Sequence, residues 1–205
     1  HGYPMAASGQ NLGFLRQVFI EVGGYEKVMH RASGDDVLLM QMVRRLRNWS
    51  IVFASQKETF IRHPFASSWI ALLNQRTRWA SNAPVLAGLD PLFFGYMLVT
   101  YSLSWLVLAA PVLCWGRFLD PQWVLAALVV KLLAELAVFR RGVALSERHE
   151  LRRYFAFWAL VQPLHVVLVG SLGCLGIFRW KGGAHLWGRR KQTRRIDVES
   201  SESTR

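Results

Sequence analysis

The sequence predicts a mixed α/β segment followed by membrane helices. Two observations carry that expectation. Residues 92–115 and 154–178 carry no charged side chain, and residues 121–139 are interrupted only by Lys131 and Glu135. At about 1.5 Å of rise per residue, each stretch approaches or exceeds a hydrocarbon core of roughly 30 Å. Residues 1–90 are different: short apolar runs of strand character alternate there with helical patterns and turn residues.

Composition narrows the function classes. The chain is 52% hydrophobic, with 9 Trp and 12 Phe, which is too apolar for a basic soluble module. The net charge of +12 is unevenly placed. Basic and acidic residues balance in residues 91–139, and basic residues dominate in residues 140–205. Positive charge beside apolar spans reads as cytoplasmic membrane-flanking sequence, so the expected partner is the bilayer and not nucleic acid. Cys114 and Cys174 lie inside apolar runs and offer neither metal-ligand spacing nor a disulfide framework. No N-terminal targeting segment is visible. The opening His1-Gly2-Tyr3-Pro4 has mid-domain character, and the expectation is that an N-terminal part lies upstream.

In chain order, Ser8-Gly9-Gln10-Asn11 reads as a turn, residues 12–14 as a short strand, and residues 16–22 as a short helix stopped at Gly23-Gly24. Asn11 and Arg16 are either turn and surface residues or part of an acceptor-side loop, where glycine lets backbone approach a substrate. Residues 33–47 predict an amphipathic helix, with Ser33 and Asp36 fitting a capping box. Asp35 and Asp36 suit a first helical turn, and Arg44, Arg45 and Arg47 suit the last. The acidic pair is helix-capping chemistry on one reading. On the other, a carboxylate held rigidly at a helix start takes a proton from an attacking hydroxyl. Residues 49–54 and 58–62 read as strands, and His63 as structural.

Residues 69–79, WIALLNQRTRW, form the stretch around which the chain is organised. Ser67 or Ser68 can cap it. Gln75, Arg78 and Trp79 fall at i, i+3 and i+4 and share one helical face. That face is either the polar side of an amphipathic helix at the membrane or a site. Arginine matches phosphate oxygens bidentately, and an indole ring can lie against the apolar face of a sugar. Within residues 121–139, Lys131 and Glu135 at i, i+4 can pair and face other helices. Tyr96, Trp115 and Trp123 are expected anchors at the membrane interface.

These motifs, in order, carry a resemblance. SGQNLGFLRQVFIEVGGY (residues 8–25), SGDDVLL (residues 33–39), Q-x-x-R-W at Gln75-Arg76-Thr77-Arg78-Trp79, and a terminal WKGG resemble the C-terminal half of a membrane-bound family 2 glycosyltransferase. The branch is that of ceramide glucosyltransferases and, more distantly, cellulose and hyaluronan synthases. The resemblance implies the C-terminal part of an α/β glycosyltransferase A-type domain followed by membrane helices. It implies an inverting transferase moving a sugar from a nucleotide-sugar donor to a membrane lipid acceptor. By that resemblance Asp36 is the general base, Asp35 its acidic neighbour, and Gln75, Arg78, Trp79 and Asn11 lie where diphosphate and acceptor meet.

The family uses Mg²⁺ or Mn²⁺ held by an Asp-x-Asp motif, and no such motif occurs in these residues. The metal and donor sites are therefore expected outside the present sequence, and these 205 residues alone are expected to be inactive. A processive polysaccharide synthase of the same family is one alternative, but few spans and no gating loop follow Trp79. A non-enzymatic membrane protein or transporter fragment is another, and paired internal repeats that would favour it are absent from the sequence.

The expected organisation is residues 1–90 as the cytoplasmic domain portion, 91–139 as a transmembrane hairpin, 140–153 as a cytoplasmic loop, 154–178 as a third transmembrane or a re-entrant helix, and 179–205 as a basic cytoplasmic tail ending in a polar stretch. The membrane is expected to be a bacterial inner membrane. A full third crossing would export the basic tail, and Pro163 supplies a break that favours re-entry.

Overall fold

The structure, a computed structural model, describes residues 3–26, 33–61, 64, 66–180 and 183–185. His63 and most of the basic tail lie outside the described residues. The architecture is helical. It comprises α1 (Arg16–Glu21), α2 (Asp35–Leu46), α3 (Trp69–Ala80), α4 (Ala83–Leu89), α5 (Pro91–Trp115), α6 (Pro121–Leu145) and α7 (Phe155–Cys174). A two-stranded antiparallel sheet, β1 (Phe178–Trp180) with β2 (Gly183–His185), follows.

This corrects the expected α/β glycosyltransferase A-type domain. Among the described residues, the only sheet is that terminal pair. Residues 12–14 and 49–54 adopt no strand, and a 3₁₀ turn at Lys57–Thr59 replaces the strand expected from residue 58 onward. The physical reason is the absence of a ladder. A strand needs a neighbour to take its N–H and C=O groups, and alternating apolar residues cannot supply one. Instead, side chains tie residues 48–49 to α1: the Asn48 amide and Trp49 indole N–H groups donate to Glu21 at 2.9 and 2.8 Å. Trp49 and Ile51 then pack against a core of Val18, Val22, Leu39 and Val43, while Val52 and Phe53 stay exposed.

Other expectations hold. Helix α1 stops at Gly23 and Gly24, both at positive φ, the region glycine enters without steric cost. Ser68 caps α3, its Oγ accepting from the Ala71 N–H at 3.1 Å. The capping box at α2 does not form. Gly34 is the N-cap and no side chain caps the helix.

Helix α4 joins the two parts of the chain. Leu86 of α4 and Leu38 of α2 form a buried pair, against which Phe93 and Met97 of α5 pack. Arg45 donates to the carbonyls of Gly88 and Leu89, placing a cation at the C-terminal end of α4 where unpaired carbonyls gather. Asp90 then starts α5. Its Oδ1 accepts from the Phe93 N–H and from the Tyr3 hydroxyl, and its Oδ2 lies 3.1 Å from Arg44 Nη2. Its side chain has no exposed surface.

Helices α5 and α6, and the stretch His149–Cys174 that contains α7, are long and apolar enough to cross a membrane. Helix α6 runs on through Arg140 and Arg141, which the sequence places in a loop. Lys131 and Glu135 pair at 2.6 Å, and Lys131 also reaches Gln162 of α7 at 3.3 Å. Intramembrane charges are tolerated when they face one another and a neighbouring helix. Trp115, Trp123 and Tyr96 are all exposed, as interface anchors must be.

Candidate functional site

The site is built where the start of α2 meets α3. Gly34 has φ of +95°, and a Cβ there would lie 2.6 Å from Asn82 Nδ2. Only glycine satisfies both the left-handed backbone and that approach. The contact docks the first turn of α2 against the junction of α3 and α4. It brings the acidic pair to the front of α3.

Asp36 is half-buried and Asp35 exposed. The Asp36 carboxylate is held by two backbone donors. Its Oδ2 accepts from the Gly9 N–H at 2.8 Å, and its Oδ1 from the Val37 N–H at 2.7 Å. One donor comes from its own helix start and the other from the 8–11 turn, so the carboxylate is fixed from both sides. Each oxygen retains a second lone pair for a proton or a hydroxyl. The Asn11 amide in the same turn donates to the Thr59 carbonyl at 2.6 Å. That bond anchors the turn. Asn11 therefore supports the Gly9 donor, and its amide N–H is already engaged.

Helix α3 presents two faces. Its back carries Thr77, which is buried, and packs on α7, where a Cβ at Gly173 would fall 2.6 Å from Ala80 Cβ. Its front carries Gln75, Arg78 and Trp79, as their spacing predicts. Gln75 and Arg78 are half-buried, and Trp79 is 42% exposed. Burial pulls the Arg78 guanidinium below its usual range, while the nearby Asp35 and Asp36 carboxylates work to keep it charged. The Gly34–Asn82 contact thus brings together two stretches about forty residues apart in sequence, the acidic pair and the end of α3. The Arg76 guanidinium lies over the Trp79 ring, 4.7 Å from its centroid. This cation–π contact steadies the indole and covers part of one ring face.

Sequence reading missed Gly9, Gly34 and Asn82 as the residues that position the pair. Gly9 stood in a recognised turn, but its contact with Asp36 bridges 27 positions and leaves no local signal.

Among the described residues, no group of three or more His, Cys, Asp or Glu could hold a metal. The acidic pair supplies two carboxylates, that of Asp36 already receiving two N–H groups, and no further acidic side chain joins them among the described residues. What the arrangement offers is a fixed carboxylate, a cation and an amide on one helical face, and an exposed indole beside them. That combination suits a hydroxyl, an anionic leaving group and a flat apolar ligand surface. No protein-family model, curated protein or solved structure matches this chain.

Proposed function

We propose that the protein is an inverting glycosyltransferase that moves a sugar from a nucleotide-sugar donor to a lipid acceptor at a membrane surface. The observation that carries this reading is the Gly34–Asn82 contact, which brings together two stretches, that of the backbone-held Asp36 carboxylate and that of Arg78. Each belongs to a motif that resembles family 2 glycosyltransferases. The reading rests on these residues and not on a sheet.

In this mechanism Asp36 takes the proton from the acceptor hydroxyl as that oxygen attacks the anomeric carbon. The bond from that carbon to the diphosphate oxygen breaks, and its electron pair leaves with the nucleoside diphosphate. Attack opposite the leaving group inverts the carbon. Arg78 and Gln75 donate hydrogen bonds to the departing diphosphate, where negative charge develops. Trp79 offers its ring to the acceptor sugar or lipid headgroup. Asp35 helps keep Arg78 charged. The site faces the cytoplasm, where nucleotide sugars are made and where the basic flanks of the spans belong. A bacterial inner membrane is the setting this implies.

Two substitutions test the α3 face in the full-length protein. Arg78→Lys keeps the charge and loses the planar fork. Losing one charge-assisted hydrogen bond costs about 1.5–3 kcal/mol, so transfer should fall by roughly 10–100-fold with membrane insertion unchanged. Trp79→Ala should raise the KM for acceptor more than it lowers kcat. Parent-like kinetics for both variants in a radiolabelled sugar-transfer assay would remove α3 from the site.

A further inference from the structure

The chain leaves the polar segment at α5 and comes back to it after α7. Asn74 of α3 grips the backbone just past α7 through both ends of its amide: its Nδ2 donates to the Arg179 carbonyl at 2.6 Å, and its Oδ1 accepts from the Arg179 N–H at 2.7 Å. The amide thereby acts as a one-residue strand partner for β1. Gly173, in the last turn of α7, is buried against Ala80 and the Thr77 carbonyl of α3. Helix α3 in turn leads through α4 to Asp90, which Tyr3 and Arg44 tie to the polar segment. The start of α5 and the end of α7 therefore lie on one side of the bilayer. A path that leaves one side and returns crosses an even number of times. Three apolar helices are available, so they cannot all be spans.

The contacts of α7 identify the helix that stays. It begins beside Phe139, in the last third of α6, with ring centroids 5.2 Å apart for Phe155 and 6.3 Å for Trp158. It touches Lys131 near the middle of α6 through Gln162, passes Tyr101 of α5 at Gly170 and Ser171, and ends on α3. Tyr101 lies in the half of α5 nearer the polar segment. The connection from α6 to α7 carries Arg148, Arg152 and Arg153, which the positive-inside rule keeps with the basic flanks. The break expected at Pro163 does not form, and α7 runs unbroken through it. Pro163 and Val167 are buried toward the protein, whereas Phe157, Leu160, Leu164 and Leu168 form an exposed apolar stripe. Such a stripe beside two lipid-facing helices is matched by acyl chains.

We propose that α7 is a re-entrant helix embedded in the leaflet next to the polar segment, with both ends on that side, and that only α5 and α6 cross. The small residues Gly170 and Gly173 let it lie close against α5 and α3, as small residues do where membrane helices touch. It then forms the lipid-side backing of α3. This topology stands whether or not the protein transfers sugar.

The test is thiol labelling of intact cells with a membrane-impermeant reagent. Cys114→Ala and Cys174→Ala supply the background, and Phe118→Cys, Ser146→Cys and Ser200→Cys are added singly. Labelling is normalised to that in detergent, which also confirms that each variant accumulates. The re-entrant arrangement requires Ser146→Cys and Ser200→Cys to behave alike and opposite to Phe118→Cys, whichever side faces out. If Phe118→Cys and Ser200→Cys label together while Ser146→Cys does not, α7 is a full span and the proposal fails. If Ser146→Cys instead sides with Phe118→Cys, α6 is the helix that stays, and the proposal fails equally.

Discussion

Asp36→Asn in the full-length protein is expected to lower sugar transfer by roughly 10²–10⁴-fold, the usual contribution of a positioned general base. The substitution keeps the shape of the side chain, and its amide oxygen can still accept one of the two backbone N–H bonds from Gly9 and Val37. What it removes is the capacity to take a proton. The readout is kcat, measured beside thermal unfolding in detergent. Loss of turnover in a protein that unfolds within a few degrees of the parent supports the base. Near-normal turnover would sink the assignment. A large loss of stability, with turnover falling only in proportion, would return Asp36 to a role in holding the start of α2.

Asp90→Ala is expected to destabilise the polar segment by about 3–5 kcal/mol, the cost of removing one partner from a buried ion pair. Asp90 is fully buried, and its loss strands the Arg44 guanidinium and the Tyr3 hydroxyl while uncapping α5. The same group predicts a pH dependence. Burial pushes its carboxyl up, but the Tyr3 hydroxyl, the Phe93 N–H and the Arg44 guanidinium together hold it below the ordinary carboxylate range. A carboxyl lowered in the folded state binds its proton more readily when unfolded, so stability rises with pH across the interval between the two values. Its contribution is complete above the ordinary value of about 3.9 and is lost as pH falls through the lower folded value. Tryptophan fluorescence during denaturant titration in detergent should show this acid limb in the parent and a weaker one in Asp90→Asn. Equal limbs would mean that Asp90 does not carry it.

These two aspartates show what a sequence discloses and what it withholds. The shared face of Gln75, Arg78 and Trp79 follows from helical spacing, and Ser68 announces its helix by its own chemistry. The apolar lengths of α5 and α7 need no tertiary information either, and the Lys131–Glu135 pair needs only one helix. The expected strands failed because pairing is not local. WSIVFA has the β-branched and aromatic residues of a strand, yet among the described residues it meets α1 and α2 and no partner strand. Likewise Asp36 could be singled out, but not its Gly9 donor. Nothing local in the sequence marks the approach of Asn82 to Gly34 either. Asp90 carries no local signal of its role, because its burial depends on Tyr3, at the other end of the polar segment.

On the function proposed above, the carboxylate of Asp36 and the cation of Arg78 serve transfer of a sugar to lipid. The most direct measurement is mass spectrometry of lipid extracts from cells expressing the full-length protein, set against cells expressing Asp36→Asn at equal abundance. A hexose-bearing lipid that accumulates with the parent and is lost with the variant is the predicted result. Lipid extracts that are identical across parent, variant and empty cells, with the parent folded and in the membrane, would contradict it.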